Sequence, residues 1–192
     1  MSFIDYLNEN YGHLNESEKK YQPKNYIQLI KLVADESINL DEIDTSKITD
    51  MKGLFYKIKR KNWSGIETWD VSNVKNMQEM FYKSKFNGDI SNWNVSNVTN
   101  MYNMFCESKF NGNISKWNVS KVENMAQMFM DSQFNGDISK WNIKNVRNMY
   151  QMFYNSKFNK DISNWDVSNV DDTQDMFYDC LIKDEFKPKG ID

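Results

Sequence analysis

The chain has 192 residues, with 24 Lys plus Arg against 27 Asp plus Glu, a formal charge of -3 with its single His neutral. That is one domain's worth of protein, too apolar at 40% hydrophobic residues for a disordered chain and too mildly acidic to advertise a nucleic-acid surface. Seven Gly and two Pro exclude collagen-like and proline-rich segments.

The first 39 residues contain no repeat and are expected to form an α-helical N-terminal cap. MSFIDYLNENYGHLNESEKK has neither a basic n-region nor an apolar h-region, and no apolar run approaches a bilayer span. The expectation is a chain that is cytoplasmic as synthesised and does not insert directly into a membrane. Incorporation in a virion, or delivery by another route, stands as the alternative. After Pro23, KNYIQLIKLVADE places Tyr26, Ile27, Ile30, Val33 and Ala34 on one helical face, suited to covering an open apolar end.

From residue 40 to 179 the chain repeats. Leu40, Ile43 and Ile48 match Ile90, Trp93 and Val98 at an offset of 50, so LDEIDTSKI is half a unit. A modified unit follows, with Phe55 to Trp69 two residues longer than Phe81 to Trp93 through an insertion within YKIKRKNWSG. Four full units then begin at Asn73, Asn97, Lys121 and Asn145, with Met77, Met101, Met125 and Met149 spaced 24 apart. Phe81, Phe105, Phe129, Phe153 and Phe177 keep the same spacing, as do Trp69, Trp93, Trp117, Trp141 and Trp165. A fixed period of this length is the mark of a solenoid. The sequence VDDTQDMFYDCLIKDEFKPKGID ends the series, with residues 180–192 expected as a C-terminal cap or tail.

Within one unit, Val98, Met101, Met104 and Phe105 fall at helical spacing, with Thr99 or Asn100 as N-cap and Asn76, Asn124 and Asn148 in equivalent places. Asn-Gly at Asn87-Gly88, Asn111-Gly112 and Asn135-Gly136 marks a turn that tolerates positive φ, replaced by Asn159-Lys160 in the fourth unit. Ile114 to Val119 reads as a short strand. The predicted fold class is therefore an α/β repeat solenoid, each 24-residue unit holding one short strand and one short helix. The Met columns suit core filling, and the Trp column a stacked ladder, with an exposed platform for carbohydrate as the alternative.

The repeated N-M-x-x-M-F followed by F-N-x-D-I-S-x-W-[DN]-V-S-N-V resembles the BspA-like leucine-rich-repeat family, also known as the DUF285 repeat of bacterial surface proteins and mycoplasma lipoproteins, with members in phage genomes. The resemblance runs from about Leu40 to Asp179. It implies a right-handed leucine-rich-repeat-like superhelix and, in many members, a surface or host-interaction role. The family's frequent Cys in the helix column is Ser here, at Ser84, Ser108, Ser132 and Ser156.

No constellation for catalysis, metal or cofactor binding assembles in the sequence. His13 stands alone near a terminus, and Cys106 and Cys180 lie about three stacked units apart, roughly 15 Å, too far for a disulfide. Asp89, Asp137 and Asp161, with Asn113 in the same column, read as turn-stabilising groups. Lys57, Lys59, Arg60 and Lys61 read as a solvated loop, with no nucleic-acid partner expected.

Variation within columns marks the positions free to recognise something. Asn92, Lys116, Lys140 and Asn164, with Asn94, Asn118, Asn142 and Asp166 beside the same Trp column, form one candidate interaction strip. Tyr102 and Tyr150, and Tyr154 and Tyr178 one column over, form another. The expected role is non-enzymatic recognition of a protein partner. The alternatives are a structural or docking component of a phage particle or other assembly, and carbohydrate binding through the Trp column. A poorly covered end leaves self-association as an option.

Overall fold

The computed structural model describes residues 19–56 and 58–191. Among them there is one α-helix, α1 (Tyr26–Ala34), three single 3-10 turns at Leu40–Glu42, Ile66–Thr68 and Asp184–Phe186, and no strand longer than one isolated parallel bridge. The expected α/β repeat solenoid is therefore overturned: the repeat units contain neither the helix nor the strand. Each is a coil of consecutive turns, and successive coils lie on one another.

Spacing explains the missing helices. The Phe rings stack coil on coil at 5.5 Å for Phe81 and Phe105, 5.8 Å for Phe105 and Phe129, and 5.7 Å for Phe129 and Phe153. Packed α-helices need about 8–10 Å between axes, so one helix per coil does not fit this repeat. The chain instead folds its Met-Phe segment as a run of turns. The N–H of Met80 donates to the Met77 carbonyl, Tyr82 to Glu79 and Ser84 to Phe81, so alternate amides close turns within the coil. The intervening amides of Met77, Glu79, Phe81 and Lys83 donate to Asn100, Tyr102, Met104 and Cys106 of the next coil. A helix would use all of these groups internally; the turn run satisfies them and joins neighbouring coils as well.

This backbone requires left-handed residues. Glu79 and Lys83 have φ of 57°, and the same two columns are left-handed in each later coil, at Asn103 and Glu107, Gln127 and Asp131, Gln151 and Asn155, and Asp175 and Asp179. None is β-branched, and Asn and Asp tolerate this region best. The positive φ that Asn-Gly tolerates is not used at Gly88, Gly112 or Gly136. Glycine is needed there for space, since a Cβ on Gly112 would meet the Phe110 ring at 2.8 Å. Gly112→Ala is expected to lower stability by about 1–3 kcal/mol through overpacking, read by urea denaturation.

The predicted N-caps are bridge residues. Asn76, Asn100, Asn124, Asn148 and Asp172 pair in sequence as isolated parallel bridges, and each side-chain Oδ1 accepts the N–H two residues on. The predicted strand is also a pair of turns, closed by Trp117 N–H on the Ile114 carbonyl and Val122 N–H on the Val119 carbonyl. Side chains hold the remaining corners: Asn118 Oδ1 accepts from Ser120, Asn113 Oδ1 from Ser115, and Ser108 Oγ from Phe110. Short polar side chains at these corners compete with regular structure by supplying local acceptors.

The core is one continuous column system. Met101, Met104, Phe105, Phe110, Ile114, Trp117, Val119 and Val122 are all buried, as are their counterparts from Val74 through Trp165, while Val167 and Val170 beyond them are half-buried. Trp63, within the two-residue insertion, lies edge-on to Phe55 and Phe86 at 5.0 Å and heads the second Phe column. Leu40, Ile43 and Ile48 are buried and make the same turns as their counterparts at offset 50.

At one end α1 covers the first coil, with Asn25 as N-cap accepting from Gln28 N–H at 3.0 Å. Its buried face is Leu29 and Val33; Ile27 and Ala34, expected to face inward, are exposed. At the other end Ile182 is buried, Phe186 packs on the core, and the Phe186 carbonyl accepts from Ile162 N–H at 3.0 Å.

Candidate interaction surface

Each Trp ring is edged by two exposed residues, because Trp faces the core and its sequence neighbours point outward. Asn92, Lys116, Lys140 and Asn164 lie on one side, Asn94, Asn118, Asn142 and Asp166 on the other, and all eight are exposed. The rings themselves are only 3–4% exposed. Trp93 Nε1 donates to the Ile66 carbonyl at 3.0 Å, Trp117 to Ile90 at 3.0 Å and Trp141 to Ile114 at 3.1 Å, in each case one coil back. Trp165 Nε1 is buried without a partner among the described residues, and with every ring buried the Trp column exposes no platform for a sugar.

The two exposed columns differ in freedom. Asn94, Asn118, Asn142 and Asp166 spend a side-chain oxygen on the N–H two residues on. Asn164 Nδ2 donates to the Ser139 carbonyl at 3.0 Å. Among the described residues, Asn92, Lys116 and Lys140 make no hydrogen bond or contact ion pair, which leaves two cations without a contact partner on adjacent coils, Lys140 within electrostatic reach of Asp137.

The tyrosines lie on the turn run, a different segment of the coil. Tyr102 and Tyr150 are half-buried, with buried Ala126 between them in the same column. Tyr154 and Tyr178 are brought together, stacked at 5.2 Å, and Tyr178 is 61% exposed. Tyr56 and Tyr82 stack likewise at 5.0 Å, while Cys106 and Met130 interrupt the column between the pairs. The sequence signals an aromatic strip; which rings touch depends on the coil spacing.

The acidic column is structural. Asp89, Asp137 and Asp161 accept from the N–H of Ser91, Ser139 and Ser163 at 2.9–3.0 Å, and Asn113 makes the same bond to Ser115. The Ser backbone N–H is the main influence holding the Asp89 and Asp137 carboxyls below the ordinary range, and the Ser163 and Ser168 hydroxyls do so for Asp161 and Asp166. A depressed folded-state pKa contributes stability above the unfolded value, about 3.9, and that contribution is lost as pH falls through the lower folded pKa. The urea midpoint should therefore drop on acidification below about pH 4, and D89N/D137N/D161N, which copies Asn113, should make the drop shallower. Midpoints measured at a series of pH values would check this.

Arg60 departs from the solvated-loop expectation. It is buried, and its guanidinium donates to the carbonyls of Val33, Asp35, Ile38 and Asn62. Lys59 and Lys61 are exposed; Lys57 and His13 lie outside the described residues. The two cysteines are free thiols, and burial pushes Cys106 up to about 12.

Two open cavities among the described residues are lined by none of the candidate strip residues. One of about 550 Å³ lies under the C-terminal segment beside Ser163, Asp184 and Lys187. The other, about 400 Å³, separates Tyr26 and Ile30 of α1 from Asp50, Lys52 and Tyr56. Among the described residues, no group of three or more His, Cys, Asp or Glu is placed to hold a metal ion, and no helix is long and apolar enough to cross a membrane.

A core of repeated columns, corners closed by the chain's own Asx side chains and a lateral surface of variable residues define a stacked-coil repeat protein. The family model described as Mycoplasma protein of unknown function, DUF285, matches residues 25–132 and 106–187, and the chain belongs to that family. No curated protein and no solved structure matches it.

Proposed function

We propose that the protein is a non-enzymatic recognition module that reads a protein partner with the side of its stack. One observation carries this reading: the columns that build the coil are nearly identical from unit to unit, while the exposed column Asn92, Lys116, Lys140 and Asn164 changes and leaves Lys116 and Lys140 without a contact partner. Such cations on adjacent rungs suit an acidic surface, and the half-buried Tyr102 and Tyr150 supply rigid aromatic contact area nearby in sequence.

The test is affinity capture with the tagged full chain against native lysate and separated particle fractions, read by mass spectrometry. The K116E/K140E variant is expected to lose a partner that the parent retains, with its urea midpoint unchanged. An identical set of captured proteins for parent and variant would reject recognition through this strip.

A further inference from the structure

The end of the stack is chemically one-sided. In every earlier coil the alternate amides of the turn run donate to the next coil; Met149, Gln151, Phe153 and Asn155, for example, donate to Asp172, Gln174, Met176 and Tyr178. In the last coil the corresponding amides of Thr173, Asp175, Phe177 and Asp179 have no acceptor among the described residues. The carbonyls of Asp171 and Cys180 flank this row; their counterparts Arg147 and Ser156 accept from the next coil, whereas they have no donor among the described residues. The C-terminal segment covers the core beside the row, with Lys187 Nζ 6.0 Å from the Phe177 ring, and leaves Tyr178 and Leu181 exposed.

Charge also changes at this coil. Asp171, Asp175 and Asp179 are exposed and stand in the columns held by Arg147, Gln151 and Asn155 one coil earlier. Side chains in one column do meet across coils: Lys83 pairs with Glu107 at 3.2 Å, and Asn155 Nδ2 donates to Asp131 Oδ1 at 2.6 Å. A cation arriving on one further rung would therefore lie beside these carboxylates.

We propose that residues 171–180 form a docking edge for a basic polypeptide segment, which adds to the stack as one more turn run. The segment supplies carbonyls to the four amides, as each coil does for the one before it, and Lys or Arg side chains to Asp171, Asp175 and Asp179. A second copy of this chain does not meet these requirements. Two such edges related by a twofold axis set donors against donors and carboxylates against carboxylates. The complementary row on the first coil, which includes the carbonyls of Asp50 and Lys52, lies across a cavity from Tyr26 and Ile30 of α1, which stand in the way of a head-to-tail copy. This is edge addition of the kind seen at open sheet edges, with turn-run geometry in place of a strand. It uses a surface separate from the Lys116 and Lys140 strip and does not depend on it.

The chain's own repeats provide matched probes. A synthetic peptide of residues 73–84 with Glu79→Gln, which removes the like charge in the column of Asp175, carries Lys75 and Lys83 in the columns of Asp171 and Asp179, whereas one of residues 121–132 carries Glu123, Gln127 and Asp131 in those three columns. Added to the full chain at low salt, the first is expected to slow hydrogen exchange at the amides of Thr173, Asp175, Phe177 and Asp179. It should bind about tenfold tighter than the second, the sum of several exposed charge pairs of modest strength. D171N/D175N/D179N should erase the difference between the peptides, and K116E/K140E should leave it intact, which separates this edge from the lateral strip. No protection at these amides with either peptide would overturn the docking edge; equal binding of both would overturn the basic partner.

Discussion

Phe105→Ala is expected to cost about 3–5 kcal/mol, the usual range for emptying a fully buried aromatic site. The ring lies between Phe81 at 5.5 Å and Phe129 at 5.8 Å, and Phe110 packs on it at 4.3 Å within the same coil. Its removal therefore opens contacts on both neighbouring rungs as well as its own. In a stack whose stability is a sum of units and nearest-neighbour interfaces, weakening a central rung weakens two interfaces together. Phe177→Ala should cost less, because among the described residues that ring stacks on Phe153 alone and it is 7% exposed. Urea denaturation of the two variants side by side would check the ranking, and equal losses would contradict a column that transmits packing from coil to coil.

The second large effect is expected at Arg60, which fastens α1 to the stack. Its guanidinium takes up carbonyls at the C-terminal end of α1, at Val33 and Asp35, then Ile38 beyond it and Asn62 beside it. Burial works against the charge, and Glu36 and Asp35 offset part of that cost. Arg60→Met fills similar space but removes every donor, so a loss of about 3 kcal/mol or more is expected from charged hydrogen bonds and stranded carbonyls. Arg60→Lys should recover only part of it, since an ammonium lacks the planar fork that reaches four carbonyls in fixed directions. Hydrogen exchange provides the discriminating readout: amides of α1 should exchange faster in Arg60→Met, while those of the coils from Asn97 to Trp165 keep their protection. A uniform rise along the chain would assign Arg60 to the global core instead.

The core was legible because packing repeats whenever sequence repeats. The Met, Phe and Trp columns at 24-residue spacing are buried, and so are Leu40, Ile43 and Ile48 of the half unit. The Asp89, Asn113, Asp137 and Asp161 column reads correctly as a turn device, since short acceptors two residues before a free N–H act locally. The helix and strand within each unit were misread for a specific reason. Val98, Met101, Met104 and Phe105 face inward both on a helix and on a run of turns, and polar residues at Asn103 and Glu107 suit either an exposed helix face or a left-handed corner.

The candidate surface divides in the same way. Exposure of the columns beside Trp follows from alternation along the chain, and all eight predicted residues are exposed. Which of them are free does not follow from it: Asn94 and its counterparts are bound to their own backbone, whereas Lys116 and Lys140 are not. Arg60 was read as solvated because three of its four acceptors are carbonyls more than 20 residues away, and carbonyls leave no trace in side-chain patterning.

The period, the membership of the core and the local corners are readable along the chain, because each depends on residue type and on neighbours a few positions away. The conformation inside each unit depends instead on how closely the coils pack. Rings stacked at 5.5–5.8 Å leave no room for packed helices about 8–10 Å apart, so alternate amides turn outward to the next coil. The same choice leaves the last coil with a row of unanswered donors, a property of the stack that no single unit contains.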